Sequence, residues 1–229
     1  MSYISFKDFK SYINFVLELY GIKQKPEYSE AKEFMKTITS FDFDKDILNT
    51  LERDIVFAMV DVGNSKPEYI TVFAGDNKID PIISKFVKLA QVQIPSAENI
   101  KITYKDHDLE LLSSEKLPFK LCYGRIKDNL YVIGEKNAIQ HLIDAETSGK
   151  NLLISNMYKN FIAMDFNNNP KFSAYINVQD INSLNYTEKN RFLHKLYLDK
   201  VNRNVIALLF TINSNNSLLK TNLQLVLKK

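Results

Sequence analysis

The feature that most constrains this chain is an order of strand, turn, strand, glycine–acid pair and helix that occurs twice in its middle. The first copy covers residues 54–90 and contains Gly75-Asp76, and the second covers residues 119–148 and contains Gly134-Glu135. Each copy reads as a hairpin followed by an amphipathic helix. The recurrence indicates an internal duplication of a strand–strand–helix unit within an antiparallel sheet.

Further strands are predicted at Lys101–Tyr104, Asp108–Leu112 and Phe172–Val178, and a closing hairpin at Val205–Ile212 and Leu218–Leu227. Hairpins that alternate with single helices predict an α+β fold, an antiparallel sheet with helices packed on one face. In the last strand, apolar and polar positions alternate, which is typical of a strand with its polar face in water. The mainly apolar face carries Leu219, Thr221, Leu223, Leu225 and Leu227.

The first part of the chain, residues 1–53, is predicted to be a helical segment packed on the domain that residues 54–229 form. Ser5 and Asp8 match a capping pattern, with Ile4 and Phe9 as a hydrophobic staple, and Gly21 ends the helix. Its apolar residues are Phe9, Tyr12, Ile13, Phe15, Val16, Leu17, Leu19 and Tyr20. Because this apolar arc is wide, the pattern favours a helix packed in the core on two sides. A helix that binds a partner or a membrane surface is the alternative.

A second helix is predicted after Ser29, and Asp44 is predicted to be the N-cap of a third. Asp42, Asp44 and Asp46 alternate as in a calcium loop. The sixth and twelfth positions of such a loop hold Ile47 and Arg53 instead of glycine and glutamate, so calcium binding is not expected. After the break before Pro170, short helices are predicted at 155–164 and after Thr187.

Composition excludes several classes of function. The formal net charge is +3, acids interrupt the bases nearly everywhere and arginines are few, so no nucleic-acid partner is expected. A single cysteine, Cys122, cannot form an intramolecular disulfide or a thiolate metal cluster. No apolar run is long enough to span a bilayer, and the first five residues lack the features of a signal peptide.

No catalytic constellation is visible in the sequence. His107, His141 and His194 lie on three different predicted elements. His141 with Asp144, and Arg191 with His194, have the spacing of solvated helix pairs. Each glycine–acid pair suits a tight turn better than a phosphate site, because an acid repels phosphate. We therefore expect no enzyme, metal or cofactor; a histidine that meets a carboxylate in a cleft would indicate the contrary.

Tyrosine and phenylalanine are abundant, at 12 and 15 residues, and an apolar groove between sheet and helices would show as aromatic strand residues. The candidate ligand-binding residues are Phe57, Met59, Phe73, Phe119, Leu121 and Tyr175. Core packing explains the same residues equally well. Open sheet edges could instead recruit another chain by strand addition.

Three segments resemble a family of uncharacterised bacterial proteins, catalogued as a domain of unknown function. Asn129–Ile139 is similar to its signature of strand, glycine, polar pair and helix. Phe43–Asp54 resembles the helix that leads into its first strand, although Glu52-Arg53 stands where members often have Gly-Glu. Residues 156–161 and 172–178 resemble its short helix and following strand. The resemblance covers about residues 41–180 and transfers no catalytic residues.

Members of that family are usually exported behind a signal or membrane anchor, so the resemblance implies a periplasmic or envelope location. Any membrane attachment would then depend on an anchor absent from this chain. We expect a non-enzymatic domain that binds a protein partner, such as an envelope protein. The alternative is a carrier of a lipid or other apolar ligand in a groove between sheet and helices. The first predicts an exposed apolar patch or an open strand edge, the second a sizeable apolar pocket.

Overall fold

In the computed structural model, the described part of the chain contains ten strands that form a single antiparallel sheet. The structure describes residues 2–51, 54–63, 67–74, 79–117, 120–127, 130–149, 171–177, 205–215 and 218–227. The strands are β1 Ser2–Phe6, β2 Ile55–Val60, β3 Glu68–Ala74, β4 Glu98–Tyr104, β5 His107–Ser113, β6 Leu121–Lys127, β7 Leu130–Glu135, β8 Phe172–Asn177, β9 Val205–Asn215 and β10 Leu218–Leu227. The helices are α1 Phe9–Leu19, α2 Pro26–Thr39, α3 Ile79–Gln93 and α4 Lys136–Thr147. The predicted α+β class and its antiparallel hairpins are confirmed.

The strand order across the sheet is β10-β9-β8-β1-β2-β3-β7-β6-β5-β4. Every neighbouring pair in this order is antiparallel. Among the described strands, only β1 joins β8–β10 to the remainder of the sheet. The ends of the sheet are therefore β10 and β4.

Helices pack on both faces of this sheet, so the expectation of helices on one face is wrong. Val72 opposes Val132 across β3 and β7, and both belong to the apolar cluster that contains Ile139 and Ile143 of α4. The next pair, Phe73 and Tyr131, belongs to the cluster formed with α3. Since successive side chains of a strand point to opposite faces, α3 and α4 lie on opposite sides. We call these sides the α3 face and the α4 face.

The two predicted repeat units do not pack alike. Each is a hairpin followed by a helix, β2-β3-α3 and β6-β7-α4, as the sequence predicts. Their helices nevertheless cover opposite faces, and the pair Gly75-Asp76 lies outside the described residues. The order of elements therefore recurs, but the two units pack differently on the sheet. The internal duplication remains a hypothesis.

The first strand, β1, was not predicted, because its residues also match a helix-capping pattern. The N-cap of α1 is Asp8, whose Oδ1 accepts a hydrogen bond from the backbone N–H of Ser11 at 3.1 Å. Ser5, the predicted cap, instead lies in β1 opposite Val56 and Ser173. The segment 1–53 is thus not only helical but contributes a central strand.

Other helix boundaries also differ from the predictions. The second helix begins at Pro26, before Ser29, because proline is tolerated in the first helical turn. A single π-helical turn follows at Phe43–Leu48, and its cap is Asp42 rather than Asp44: the Asp42 carboxylate accepts the backbone N–H groups of Asp44 and Lys45. The helices predicted at 155–164 and after Thr187 lie outside the described residues.

In the closing hairpin, the predicted strands are confirmed but the expected exposure of β10 is reversed. Leu223, Leu225 and Leu227 are 63%, 50% and 56% exposed. Gln224, on the other side of the strand, opposes Leu209, which is buried together with Tyr175 on the α4 face. The register of the sheet, which the sequence of one strand does not reveal, decides which face is covered.

Candidate functional site

An aromatic cluster forms where α1 meets β1 and β2 on the α3 face. The Phe6 ring lies 5.1 Å from the ring of Phe9, 4.6 Å from Tyr12 and 5.0 Å from Phe172, measured between centroids. Phe57 completes the cluster at 5.9 Å from Phe9. These tilted and edge-on arrangements are the favoured geometries for aromatic pairs. These contacts pack α1 against the sheet.

Polar contacts hold α1 from a second side. The Lys10 backbone N–H donates to the Leu51 carbonyl at 3.1 Å. The Lys10 ammonium donates to Asn49 Oδ1 at 2.8 Å. Together with the aromatic cluster, these bonds fix which side of the helix faces the protein.

The remaining side of α1 presents apolar residues to solvent. Tyr12, Phe15 and Leu19 follow one another at helical spacing, and Phe15 and Leu19 are 54% and 62% exposed. No residue of α1 is buried. The prediction of a helix packed in the core on two sides is therefore wrong, because the sheet covers only the side that carries Phe9. We call Tyr12, Phe15 and Leu19 the α1 stripe.

The predicted ligand-binding residues do not form one group. Phe57, Met59, Phe73 and Leu121 lie on the α3 face, as the pairings of β2, β3 and β6 show. Tyr175 lies on the opposite face, where its ring stacks on Tyr3 at 5.8 Å. Phe119 lies outside the described residues.

Three of these residues are part of packed structure. Phe73 and Leu121 pack against the cluster of Ile79, Val87 and Tyr131 beneath α3. Phe57 belongs to the aromatic cluster described above. Packing within the fold therefore accounts for these three side chains, as the sequence allowed.

A polar network lies beneath α3 at the β4–β5–β6 end of the sheet. The Tyr123 hydroxyl lies 2.7 Å from Glu110 Oε2 and 3.0 Å from Asn99 Oδ1. The Asn99 amide donates to Glu110 Oε2 at 2.5 Å. Burial, followed by the hydrogen bond to Glu110, raises the pKa of Tyr123. The phenol therefore stays protonated and serves as a hydrogen-bond donor to the carboxylate.

Arg125 joins α3 to the same side of the sheet. Its guanidinium donates to Asp80 Oδ2 at 2.8 Å and lies 5.8 Å from the centre of the Tyr131 ring. Burial is the largest cause that raises the pKa of Tyr131, followed by the charge of Asp80. This arrangement ties the first turn of α3 to β6 and β7.

Asp144, three positions after His141, accepts hydrogen bonds from side chains other than the histidine. Asp144 Oδ1 accepts hydrogen bonds from the Lys105 ammonium at 2.6 Å and the Tyr104 hydroxyl at 2.9 Å. The Lys105 bond, then the Tyr104 bond, lowers the pKa of Asp144. His141 is exposed, His107 lies at the start of β5, and His194 lies outside the described residues. The structure shows a link between the β4–β5 turn and α4, and no histidine–carboxylate hydrogen bond among the residues it describes.

Cys122 is fully buried in β6. Burial raises the pKa of its thiol to about 11, with a small opposing effect from the charge of Lys136. Because the thiolate is the reactive form, this cysteine is chemically quiet at neutral pH. It packs as a small apolar residue.

Glu68 is a buried carboxylate with a structural role. Its Oε2 accepts the backbone N–H of Ala138 at 2.9 Å, and its Oε1 accepts the Asn137 side-chain amide at 2.7 Å. These donors belong to the first turn of α4, where the helix dipole favours negative charge. A strand residue from β3 therefore caps a helix about 70 positions further along the chain.

Within the described residues, no group of three or more histidine, cysteine or acidic side chains could hold a metal ion. Over the same residues, no helix is long and apolar enough to cross a membrane.

Comparison with known proteins finds no similar protein. No family model, no curated protein and no solved structure matches it. The candidate site therefore rests on the geometry of the α1 stripe and of the sheet edges. The breadth of the apolar arc on α1 was the sequence signal for this surface, since one sheet face cannot cover so wide an arc.

Proposed function

We propose that this protein is a non-enzymatic domain that binds a protein partner through the α1 stripe. The observation that supports this most is that a strongly amphipathic helix has no buried residue and exposes three large side chains in one row. Contiguous exposed apolar surface of this kind marks interaction sites in soluble proteins. Aromatic residues are also the side chains most often found at the energetic centre of interfaces.

The spacing and charge of the stripe indicate the kind of partner. Residues at positions i, i+3 and i+7 of a helix fit an apolar groove on another protein. Residues 7–25 carry four lysines and two acids, so a groove with an acidic rim would be complementary in charge. We infer a folded partner with such a groove.

The test uses the purified chain as bait in extract of the source cells, with a photo-crosslinking phenylalanine analogue at position 15. We expect one protein to be crosslinked in good yield. In label-free binding to that purified protein, Phe15→Lys should weaken affinity by about tenfold or more, because it removes a central apolar contact. Glu18→Asp, on the polar side of the same helix, keeps the charge of the segment and is the control; it should bind as the wild type does.

Two results would overturn the proposal: absence of a crosslinked partner, or equal affinity of the Phe15→Lys and wild-type chains. Because Phe15 is already exposed, its replacement should leave the urea midpoint unchanged. A shifted midpoint would show that the side chain supports the fold rather than a partner.

The same purified protein tests the carrier alternative. Native mass spectrometry should give the mass of the chain without an adduct, and an organic extract should contain no stoichiometric lipid. This expectation is supported by the packing of Phe73 and Leu121 beneath α3. A bound lipid at one equivalent would instead make the protein a carrier.

We further propose that the domain acts in the periplasm or cell envelope, and the family resemblance is what supports this location. Fractionation of source cells with an antibody to the purified domain tests it. Recovery in the cytoplasmic fraction alone would contradict it.

A further inference from the structure

Tyr131 of β7 carries a hydroxyl group to which the fold gives no hydrogen bond. The residue is only 4% exposed. Within the described residues its hydroxyl has no hydrogen-bond partner, whereas the hydroxyl of Tyr123 contacts both Glu110 and Asn99. Most buried polar side-chain groups in proteins are hydrogen-bonded, so an exception needs an explanation. A ligand that supplies the missing partner is such an explanation.

The Tyr131 oxygen is accessible although the residue is buried. In the part of the chain that the structure describes, Gln224 Oε1 is the only fully buried side-chain oxygen or nitrogen without a hydrogen bond. The Tyr131 oxygen is therefore not sealed within the core, and a small group can reach it. The apolar cluster that contains Ile79 and Val87 packs around the rest of the side chain. The hydroxyl is thus held in place before any ligand binds, which lowers the entropic cost of binding.

Two carboxylates lie near this hydroxyl on the α3 face. Tyr131 is directly opposite Arg125 in β6, and the Arg125 guanidinium donates to Asp80 Oδ2 at 2.8 Å. Tyr123 precedes Arg125 by two positions and shares its face, and the Tyr123 hydroxyl lies 2.7 Å from Glu110 Oε2. Burial is the largest cause that raises the pKa of Tyr131, and the charges of Asp80 and Glu110 both raise it further. Both carboxylates are therefore close enough to act on the phenol.

Each of these carboxylates has one oxygen left over. Asp80 accepts the Arg125 guanidinium with Oδ2, and no described residue donates to its Oδ1. Glu110 accepts its two hydrogen bonds with Oε2, and no described residue donates to its Oε1. The region therefore combines two carboxylate oxygens and one phenol oxygen that can still accept hydrogen bonds.

The local charge favours a cation as the ligand. The described charged residues on this part of the α3 face are three acids and two bases, a net charge of −1: Asp80, Asp108, Glu110, Lys101 and Arg125. An ammonium group carries a positive charge and offers only hydrogen-bond donors, which suits a set of free acceptors. No group of histidine, cysteine or acidic side chains among the described residues could hold a metal ion. An organic cation therefore fits better than a metal.

We propose that the Tyr131 hydroxyl, together with the carboxylates of Asp80 and Glu110, binds a primary ammonium group. The free oxygens accept the N–H groups of the ligand, and the two acids balance its charge. A small aliphatic amine and a lysine side chain of another protein both present this group, and the test separates these two sources. The site contains no residue of the α1 stripe.

An NMR titration of the full chain with n-butylammonium chloride tests the proposal. We expect saturable shifts of the backbone amides of Arg125 and Tyr131, with a dissociation constant of about 1 mM or below. Butanol lacks the charge and tetramethylammonium lacks N–H donors, so each should bind at least about tenfold more weakly. A capped peptide with one lysine is titrated in parallel. Tighter binding of the peptide assigns the site to a protein side chain, and tighter binding of butylammonium assigns it to a small amine.

Single hydroxyl deletions separate binding from folding. Tyr131→Phe should raise the dissociation constant of butylammonium at least about tenfold, and its urea midpoint should be equal to or above that of the wild type, because the fold gives this hydroxyl no partner. Tyr69→Phe removes the hydroxyl of an exposed tyrosine in β3 and should bind as the wild type does. Tyr123→Phe removes a hydrogen-bonded hydroxyl and should lower the midpoint, which shows that the assay detects such a loss.

Four results would overturn the proposal: no saturable shift up to about 20 mM amine, equal binding of tetramethylammonium and butylammonium, unchanged affinity in Tyr131→Phe, or a lowered urea midpoint in that variant. The last result would show that the hydroxyl supports the fold. Phe15→Lys should bind butylammonium as the wild type does, so failure here and failure of the proposed function of the α1 stripe are distinguishable.

Discussion

At the scale of single residues, Gly134 is required by close packing between strands and not by the turn that the glycine–acid motif suggested. Its place before Glu135 suggested a tight strand-to-helix turn. In the structure it lies within β7, opposite Ile70 and Cys122. A Cβ atom there would overlap the Tyr69 carbonyl oxygen and come within 2.7 Å of Ile70 Cα. The residue is glycine because the backbone of β3 approaches so closely.

We therefore expect Gly134→Ala to lower the free energy of unfolding by about 1–3 kcal/mol, since β3 and β7 must move apart to admit the methyl group. Urea unfolding followed by circular dichroism measures the loss. A change below about 0.5 kcal/mol would mean that the two central strands separate easily, contrary to the close packing described here.

At the scale of elements, α4 depends on a cap supplied from outside its own sequence. Glu68→Ala leaves the buried N–H of Ala138 without its acceptor, which should cost about 2–3 kcal/mol of stability. Glu68→Gln keeps one oxygen acceptor and should cost about 1 kcal/mol. The matched control is Glu135→Gln, because Glu135 also accepts a backbone N–H, that of Tyr69 at 3.1 Å, but in an exposed position.

Chemical denaturation of these three variants gives the comparison. The expected order of stability loss is greatest for Glu68→Ala, smaller for Glu68→Gln and least for Glu135→Gln. Equal losses at positions 68 and 135 would show that burial of the Glu68 carboxylate adds nothing to the cap.

The same scale shows what the sequence can and cannot predict. Alternation of apolar and polar residues located β9 and β10, and helical spacing located α3 and α4, because these signals lie within one element. The strand β1 was not predicted, because Ser5 and Asp8 match a helix-capping pattern that overlaps the residues of the strand. The faces covered by α3 and α4, and the exposure of the β10 leucines, depend on strand pairings between distant segments. No local pattern contains that information.

At the scale of the whole molecule, β1 is the only described link between the β8–β10 strands and the other six. Ile4 lies between Phe57 and Ala174, so its backbone is flanked by a strand on each side. Ile4→Pro removes a backbone donor from this position, and proline is not accommodated in central strands. We expect the amides of β8, β9 and β10 to lose at least about tenfold in hydrogen-exchange protection. Those of β5–β7 should keep theirs.

Ile4→Val is the control, because it retains the backbone donor and a β-branched side chain. It should exchange like the wild type. Uniform loss of protection across all ten strands of the proline variant would contradict a division of the sheet at β1 and indicate one cooperative unit.

The position of β1 also has a consequence for synthesis on the ribosome. The hydroxyl of Ser2 accepts the backbone N–H of Asn177, a residue 175 positions later. Because β1 is translated long before β8, it must wait, with one edge unpaired, until β8 has left the exit tunnel. Contacts between such distant segments slow folding and expose edges to wrong partners. A nascent chain of this protein is thus expected to need protection by chaperones that bind apolar segments until β8 has been made.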